Sequence, residues 1–179
     1  LFLKLENWDF DFSFGASFPL ESEKNDARRG MDDLDWQFEA GPRATYFFYK
    51  SDQRILSLEF PIRFVLSTDF DFTKDQGQRF IPQLDYRENL GHNWRFGLSY
   101  KLNYGTEALN DYIYEVKSRD VTADRERFNA KGGFISQDFS TSLVYRTEKF
   151  VGIVGYRYSL YDNATNWDSP LLKVHENSA

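Results

Sequence analysis

The longest regular pattern in the chain is an alternation of apolar and polar positions that runs from Trp36 to Ser67. It forms two runs, which are joined by the polar segment Lys50-Ser51-Asp52-Gln53. A period of two is the period of a β-strand, because successive side chains point to opposite faces of a sheet. Each run covers about 11 residues, which is longer than the usual strand and close to the length that a tilted strand needs to cross a bilayer. The pattern predicts a hairpin from a membrane β-barrel.

The same alternation recurs along the rest of the chain. Eight strands are predicted, at about 1–5, 8–18, 36–48, 56–66, 80–86, 94–104, 135–145 and 150–161. The predicted connections alternate between short turns and long polar loops, and the long loops are 21–33, 68–78 and 105–133. Short periplasmic turns and longer extracellular loops are typical of an up-and-down membrane barrel. The fold prediction is therefore an all-β, antiparallel transmembrane barrel.

The ends of the pattern bear on the size of this barrel. The alternation needs one strand before residue 1 and another after residue 179, and such barrels usually have an even number of strands. We therefore expect residues 1–179 to form a single barrel domain that is truncated at both ends. The complete barrel should have at least about ten strands.

Alternation alone does not decide which face meets lipid, since a soluble lipocalin-like barrel has the same period with its apolar face inside. Two observations favour an apolar outer face. Five aromatic residues share one parity of a single strand, and they are too bulky to fill a small lumen: Trp8, Phe10, Phe12, Phe14 and Phe18. Aromatic side chains also recur near both ends of the strands, as in the aromatic belts of membrane proteins.

The opposite parity carries polar and charged side chains of both signs. We predict that these side chains line the lumen: Asp9, Asp11, Glu39, Arg43, Glu59, Arg63, Gln83, Asp85, Arg95, Lys101 and Arg157. They could form a selective pore or a salt-bridged plug that holds the shape of the barrel. Mutual pairing offsets the desolvation cost of charges in a narrow lumen, so the mixed signs favour the plug.

Three prolines, Pro42, Pro61 and Pro82, fall inside successive predicted strands. Proline has no N–H to donate to a sheet, so a regular ladder would lose a hydrogen bond at each of them. We therefore predict irregular pairing between neighbouring strands at these positions.

Composition narrows the functional classes. The formal net charge is −6 and no basic block stands out, so nothing indicates a nucleic-acid partner. The chain has no cysteine and no apolar run long enough for a transmembrane helix. The only histidines, His92 and His175, lie in separate connections without the spacing of a metal site. No catalytic, metal or cofactor site is predicted, and the protein is not expected to be an enzyme.

The longest predicted loop, 105–133, is the expected recognition surface on the outer side. Its composition is not that of a disordered segment, and the run after Asp120 predicts a short helix capped by that residue. We expect Tyr112 or Tyr114 to pack inward. Arg119, Arg125 and Arg127 would be available to an acidic or lipopolysaccharide partner. The alternative is a lid that only seals the lumen.

The most specific sequence text lies in the last third of the chain. A Tyr-x-Tyr-x-Val segment is formed by Tyr112, Tyr114 and Val116. An Arg-x-x-Phe-x-x-x-Gly-Gly segment follows, with Arg125, Phe128, Gly132 and Gly133. Near the end of the chain lies an Ala-(x)n-Asp-Ser-Pro-Leu segment, with Ala164, Asp168, Ser169, Pro170 and Leu171. These segments, together with residues 30–46, resemble the MipA/OmpV family of Gram-negative outer-membrane proteins. The family's glycine-rich opening and closing strand are not found here.

The resemblance implies a non-enzymatic barrel in the outer membrane, in contact with its lipid and lipopolysaccharide. The namesake of the family is described as a scaffold that links a lytic murein transglycosylase to a murein synthase. Other members are described as porin-like proteins linked to osmotic response or as adhesins. An envelope scaffold is therefore the first expectation, and a narrow channel or an adhesin is the alternative.

Overall fold

A computed structural model of the chain describes residues 3–172. It is all-β and antiparallel, as predicted, with nine strands in one sheet and a single α-helix in the described range. The elements in chain order are β1 (Leu3–Lys4), β2 (Trp8–Ser17), β3 (Trp36–Lys50), β4 (Arg54–Thr68), β5 (Thr73–Phe80), β6 (Gln83–Gly91), β7 (Trp94–Gly105), α1 (Glu107–Tyr114), β8 (Gly133–Arg146) and β9 (Val151–Leu160). Residues 1–2 of the first predicted strand and His175 lie outside the described residues.

The strands follow one another in chain order, and each pairs antiparallel with its neighbours. β5 and β6 share one position in the sheet, because both pair with β4 on one side and with β7 on the other. They are separated only by Ile81-Pro82. The nine strands therefore occupy the eight positions that the alternation predicts. In the described range β1 and β9 each pair with one neighbour.

The prediction of a long polar loop at 68–78 is wrong. Most of that stretch is β5, and the connection from β4 is only 69–72, so short and long connections do not alternate without exception. β5 has few apolar residues, but its backbone pairs with β4 from Thr68↔Thr73 to Ile62↔Phe80. α1 packs against it near Gly77, so one of its faces meets protein rather than lipid. The face of β5 that α1 covers therefore needs no lipid-facing apolar side chains.

The predicted strand 80–86 is also corrected. The strand is interrupted at Ile81-Pro82. The strand that follows, β6, continues to Gly91, so the turn between β6 and β7 is only His92-Asn93. Both turn residues have positive φ values, 47° and 69°, as tight hairpin turns require.

The three prolines each lie where strand pairing is lost on one side. Pro42 faces Phe12 on β2 but has no register partner on β4. Pro61 faces Arg43 on β3, whereas on its other side it has no register partner and its carbonyl accepts only from the Ile81 N–H, at 3.2 Å, beside the interruption at Pro82. The missing N–H explains this one-sided loss. The predicted irregular pairing is confirmed, although the register shifts lie elsewhere, for example between Phe47 and Tyr49.

The two faces of the sheet have inverted polarity compared with a soluble protein. Large apolar side chains are exposed, for example Phe14 at 72% and Val154 at 75%, while polar side chains of the other parity are buried, for example Glu39 at 5% and Glu59 at 6%. We call the face with the buried polar side chains the inner face. Water-soluble proteins bury apolar rather than charged groups, so this distribution fits an outer surface in contact with lipid.

The helix of the long loop lies earlier than predicted. α1 ends at Tyr114, before the helix that is predicted after Asp120. The residues after Asp120 instead form an isolated β-bridge between Thr122 and Arg125. The chain is held there by the buried guanidinium of Arg125, which local helix signals do not reveal. No helix in residues 3–172 has the length and apolar character to cross a membrane.

Candidate functional site

The inner face of β2, β3 and β4 carries a chain of paired charges. β-strand register places Asp11 opposite Arg43, and Arg43 donates from Nε and Nη2 to the two carboxylate oxygens of Asp11, at 2.8 Å and 2.6 Å. Its Nη1 donates to Glu59 at 3.0 Å. The other oxygen of Glu59 accepts from Arg87 on β6 at 3.3 Å. Four neighbouring strands are therefore cross-linked by alternating charges.

A second group of charges lies nearer the long loops. Glu39, whose side chain is only 4% exposed, lies between Arg63 and Arg79. Arg63 Nη1 donates to Glu39 at 3.3 Å and its Nε donates to the Ser13 hydroxyl at 2.8 Å. Arg79 Nε lies 3.4 Å from the other Glu39 oxygen, at ion-pair distance but without hydrogen-bond alignment. Two partly solvated cations thus neutralise one buried carboxylate.

The structure brings only some of the predicted residues together. Asp9 pairs with Lys50 at 3.1 Å, and Gln83 donates to Asp85. Three predicted cations on β7 and β9, Arg95, Lys101 and Arg157, form no ion pair with another described residue. The charges of the inner face are therefore paired on β2–β4, whereas on β7–β9 its three cations form no ion pair within the described residues, although Asn103, Ser136 and Asp138 there are joined by hydrogen bonds.

Sequence reasoning missed three cationic partners of the predicted residues: Lys50, Arg79 and Arg87. Arg79 directly precedes the predicted start of a strand at Phe80, and Arg87 falls in the predicted turn between 86 and 94. Arg87 has the same parity as Gln83 and Asp85, so a longer predicted strand would have included it.

The connections 18–35 and 106–132 fold together at the long-loop end of the sheet, and we call them the cap. Arg125 is buried and donates to the carbonyls of Ala27, Arg29 and Asp120, at 2.9 Å, 3.1 Å and 2.8 Å. Arg28, also buried, donates to the carbonyl of Ile113 at 3.0 Å. Two guanidinium groups therefore join the two connections through main-chain oxygens.

The tyrosines of the long loop pack inward. Tyr114 is 9% exposed and forms a small apolar cluster with Ala130 and Ile135. The half-buried Tyr112 accepts a hydrogen bond from the Asp35 N–H at 2.8 Å. By contrast, Arg119 is exposed and pairs with Asp32, and Arg127 is exposed. Of the three predicted arginines, Arg119 and Arg127 are thus accessible, whereas the guanidinium of Arg125 is used inside the cap.

The three sequence segments that carry the family resemblance meet in this cap. Val116, which is fully buried, bridges to Phe128, and the Ser169 hydroxyl donates to the carbonyl of Tyr114 at 2.8 Å. Gly133 has a φ of +148°, and an added Cβ there would overlap the Thr165 side chain. The glycine is therefore required by both its backbone conformation and the close approach of the final segment.

A cleft of about 620 Å³ opens between the cap and the start of β5. Its lining holds more carboxylates than basic groups, and includes Asp35, Asp111 and Glu115. Burial, followed by repulsion from Glu115 and Glu107, raises the pKa of the Asp111 carboxyl. The described residues contain no cluster of histidine and carboxylate side chains suited to a metal ion.

Burial in the cap raises the pKa of the Tyr114 hydroxyl to about 12. In the unfolded chain this group ionises near pH 10, so the neutral form is favoured by the folded cap. Between these values the unfolded state binds fewer protons, and we expect the stability of the cap to fall as the pH rises from about 10 towards 12. Tyrosinate absorbance during alkaline titration, compared between wild type and Tyr114→Phe, measures this. The difference between the two absorbance curves reports the ionisation of Tyr114. If its midpoint lies near pH 10 in folded protein, the cap does not shield the Tyr114 hydroxyl from water.

The comparison with protein families gives one finding. The family model described as MltA-interacting protein MipA matches residues 2–179, which is almost the whole chain. No curated protein and no solved structure matches the sequence. The all-β structure fits an outer-membrane barrel of this kind. The chain therefore belongs to the MltA-interacting protein MipA family.

Proposed function

We propose that this chain is a non-enzymatic barrel of the bacterial outer membrane that acts as an envelope scaffold for murein-cleaving and murein-synthesising enzymes. The inverted polarity of the sheet supports a location in the membrane. Exposing large apolar side chains such as Phe14 and Val154 to water would be unfavourable. The family description, MltA-interacting protein, supports the class of partner. The family is not known as enzymatic.

The paired inner face supports a scaffold over an open channel. Arg43 and Glu59 belong to a chain of charges that spans four strands, and Glu39 is neutralised by two arginines. Charges that are held in pairs stiffen the wall on β2–β4 and leave little net field on that side to guide ions. The cap, joined internally by Arg28 and Arg125, lies at one end of the sheet. Such a barrel presents surfaces to partners instead of a wide passage.

The ends of the strands suggest how the partners are arranged. Short turns face the periplasm in outer-membrane barrels, and murein lies on that side. The short turns here are 5–7, 51–53, 92–93 and 147–150, and they lie at one end of the sheet. We propose that murein enzymes dock at this end. At the opposite end, the exposed Arg119 and Arg127 are the groups that we assign to lipopolysaccharide.

Site-specific photocrosslinking tests the docking side. A photoreactive residue is placed at Asp52, His92 or Glu148 in the short turns, and at Asp26 or Asp124 in the cap as matched exposed controls. We expect the murein transglycosylase and the murein synthase of the same cell to be captured from the turn positions and not from the cap. Immunoblotting for the two enzymes identifies the adducts.

The second candidate function is a narrow channel, which the unpaired Arg95, Lys101 and Arg157 favour. A scaffold predicts no conductance in planar bilayers. Stepwise conductance that changes in Arg95→Gln or Arg63→Gln, together with no capture of either enzyme, would replace the scaffold by the channel. Capture from the cap positions alone would place the partner on the wrong side of the membrane and would also contradict the proposal.

A further inference from the structure

The inner face of β7–β9 differs from that of β2–β4 in its unpaired positive charge. Arg95 Nε donates to the Asn89 side-chain oxygen at 3.3 Å, and that acceptor is neutral. Within residues 3–172, the Arg157 guanidinium has neither a hydrogen bond nor an ion pair, and Lys101 has no carboxylate within ion-pair distance. Asp138 on β8, in register with Lys101, and Asp85 on β6 are the carboxylates nearest this wall, and neither forms an ion pair with Arg95, Lys101 or Arg157. Cations that outnumber the carboxylates of a wall are unfavourable unless solvent or an anion compensates them.

A cavity of about 580 Å³ lies against this wall. Its charged lining consists of three guanidinium groups, Arg87, Arg95 and Arg157, and one carboxylate, Asp85. Arg87 also contacts Glu59 at 3.3 Å, and Asp85 accepts a hydrogen bond from Gln83. The cavity therefore has an excess of positive charge, and its volume is that of a small-molecule site.

The floor of the cavity is made of small side chains. Register pairs Gly97 with Ser142 and Ser99 with Ser140, and Ser142 in turn faces Gly155 on β9. The hydroxyls of Ser99 and Ser140 lie 2.8 Å apart and share a hydrogen bond. Small residues on three adjacent strands leave space above the sheet, and the hydroxyls provide neutral donors beside the arginines.

We propose that this cavity binds a phosphate group, either as free phosphate or as part of a sugar-sized phosphorylated solute. The planar guanidinium fork of arginine matches the oxygens of phosphate, and charge-assisted hydrogen bonds of this type are strong. Arg95 and Arg157 provide the principal charges, and Ser99, Ser140 and Ser142 provide additional donors. The site is separate from the docking of murein enzymes at the short turns and does not depend on it.

Isothermal titration calorimetry of the full chain in a non-ionic detergent tests the site. The titrants are inorganic phosphate, glucose 6-phosphate and, as an uncharged control, glucose. We expect both phosphates to bind, with an affinity that falls as NaCl is added, and glucose to give no binding heat. Tighter binding of glucose 6-phosphate identifies a phosphorylated solute as the ligand class, whereas equal affinity identifies free phosphate, and either result supports the site.

Variants locate the binding. Arg95→Gln and Arg157→Gln should each weaken binding of the phosphates by about tenfold or more, because each removes a charge-assisted contact. Arg146→Gln is the matched control: Arg146 lies at the exposed end of β8, outside the cavity, and should leave binding unchanged. The proposal is overturned if the wild-type chain binds neither phosphate, or if Arg146→Gln weakens binding as much as the two cavity variants.

Discussion

Gly41→Ala is expected to lower the free energy of unfolding by about 3 kcal/mol or more, through overpacking against main-chain atoms. A Cβ at position 41 would overlap the carbonyl oxygen of Ile62 and would lie 3.0 Å from the Cα of Arg63. These are atoms of the neighbouring strand, so the overlap can be relieved only by separating β3 from β4. Pairing is already interrupted there at Gly41-Pro42. Urea unfolding in detergent micelles, followed by tryptophan fluorescence, measures the loss.

Gly97→Ala is the matched control, since Gly97 is also an inner-face glycine within a strand. A Cβ there would approach only the Ser142 hydroxyl oxygen, at 2.8 Å, and a carbonyl oxygen at 4.0 Å. The hydroxyl can rotate away, so a much smaller change is expected. Equal stability of Gly41→Ala and wild type would show that β3 and β4 can separate at this point without cost.

Glu39→Gln is the second substitution with a large expected effect. Its carboxylate is the shared partner of Arg63 and Arg79, whose side chains are 21% and 22% exposed. Removing the anion leaves two cations facing each other with little water. Breaking a buried ion pair costs about 3–5 kcal/mol, and we expect about 3 kcal/mol here because both arginines keep some solvent contact. The same urea titration measures this change.

Glu88→Gln provides the comparison for an exposed pair. Glu88, whose side chain is 23% exposed, accepts from the Tyr86 hydroxyl and from Arg54, both at 2.8 Å, near the short-turn end, where the arginine side chain is 57% exposed. Solvent screening makes such surface pairs nearly neutral in stability, so little change is expected. If Glu39→Gln is as stable as Glu88→Gln, the charges of the inner face are solvated and do not brace the wall.

Much of the sheet follows directly from the pattern of the sequence. The period of two separates Phe12 and Phe14 from Asp11 and Ser13, and a strand can respond to that pattern only by exposing one set and burying the other. For the same reason, the alternation places Asp11 and Arg43 on the inner face, where the structure pairs them. Which face is buried could be argued from side-chain bulk together with the aromatic side chains near both ends of the strands. Each of these features depends only on residues that are close together in the sequence, so the sequence is sufficient to predict them.

The cap is less well determined by the sequence. The residues after Asp120 have the composition of a short helix, but they do not form one. Burial of Arg125 gives its guanidinium three main-chain acceptors, and this stabilises a different local conformation. Those acceptors include residues of the connection 18–35, far away in the chain, and no local pattern specifies them. The inward packing of Tyr114, on the other hand, was predicted from the apolar content of the loop.

The sequence by itself determined the strand period, the composition of the two faces and the one-sided loss of pairing at the prolines, since each depends on the geometry of a few consecutive residues. Only the tertiary structure decided that 73–80 is a strand, because its partners β4 and β7 stabilise an extended backbone that has no alternating pattern of its own. It also decided which charges are paired. Glu39 finds Arg63 and Arg79, whereas Arg157 finds no partner in the described residues, because pairing depends on distances between strands that the sequence of one strand does not contain.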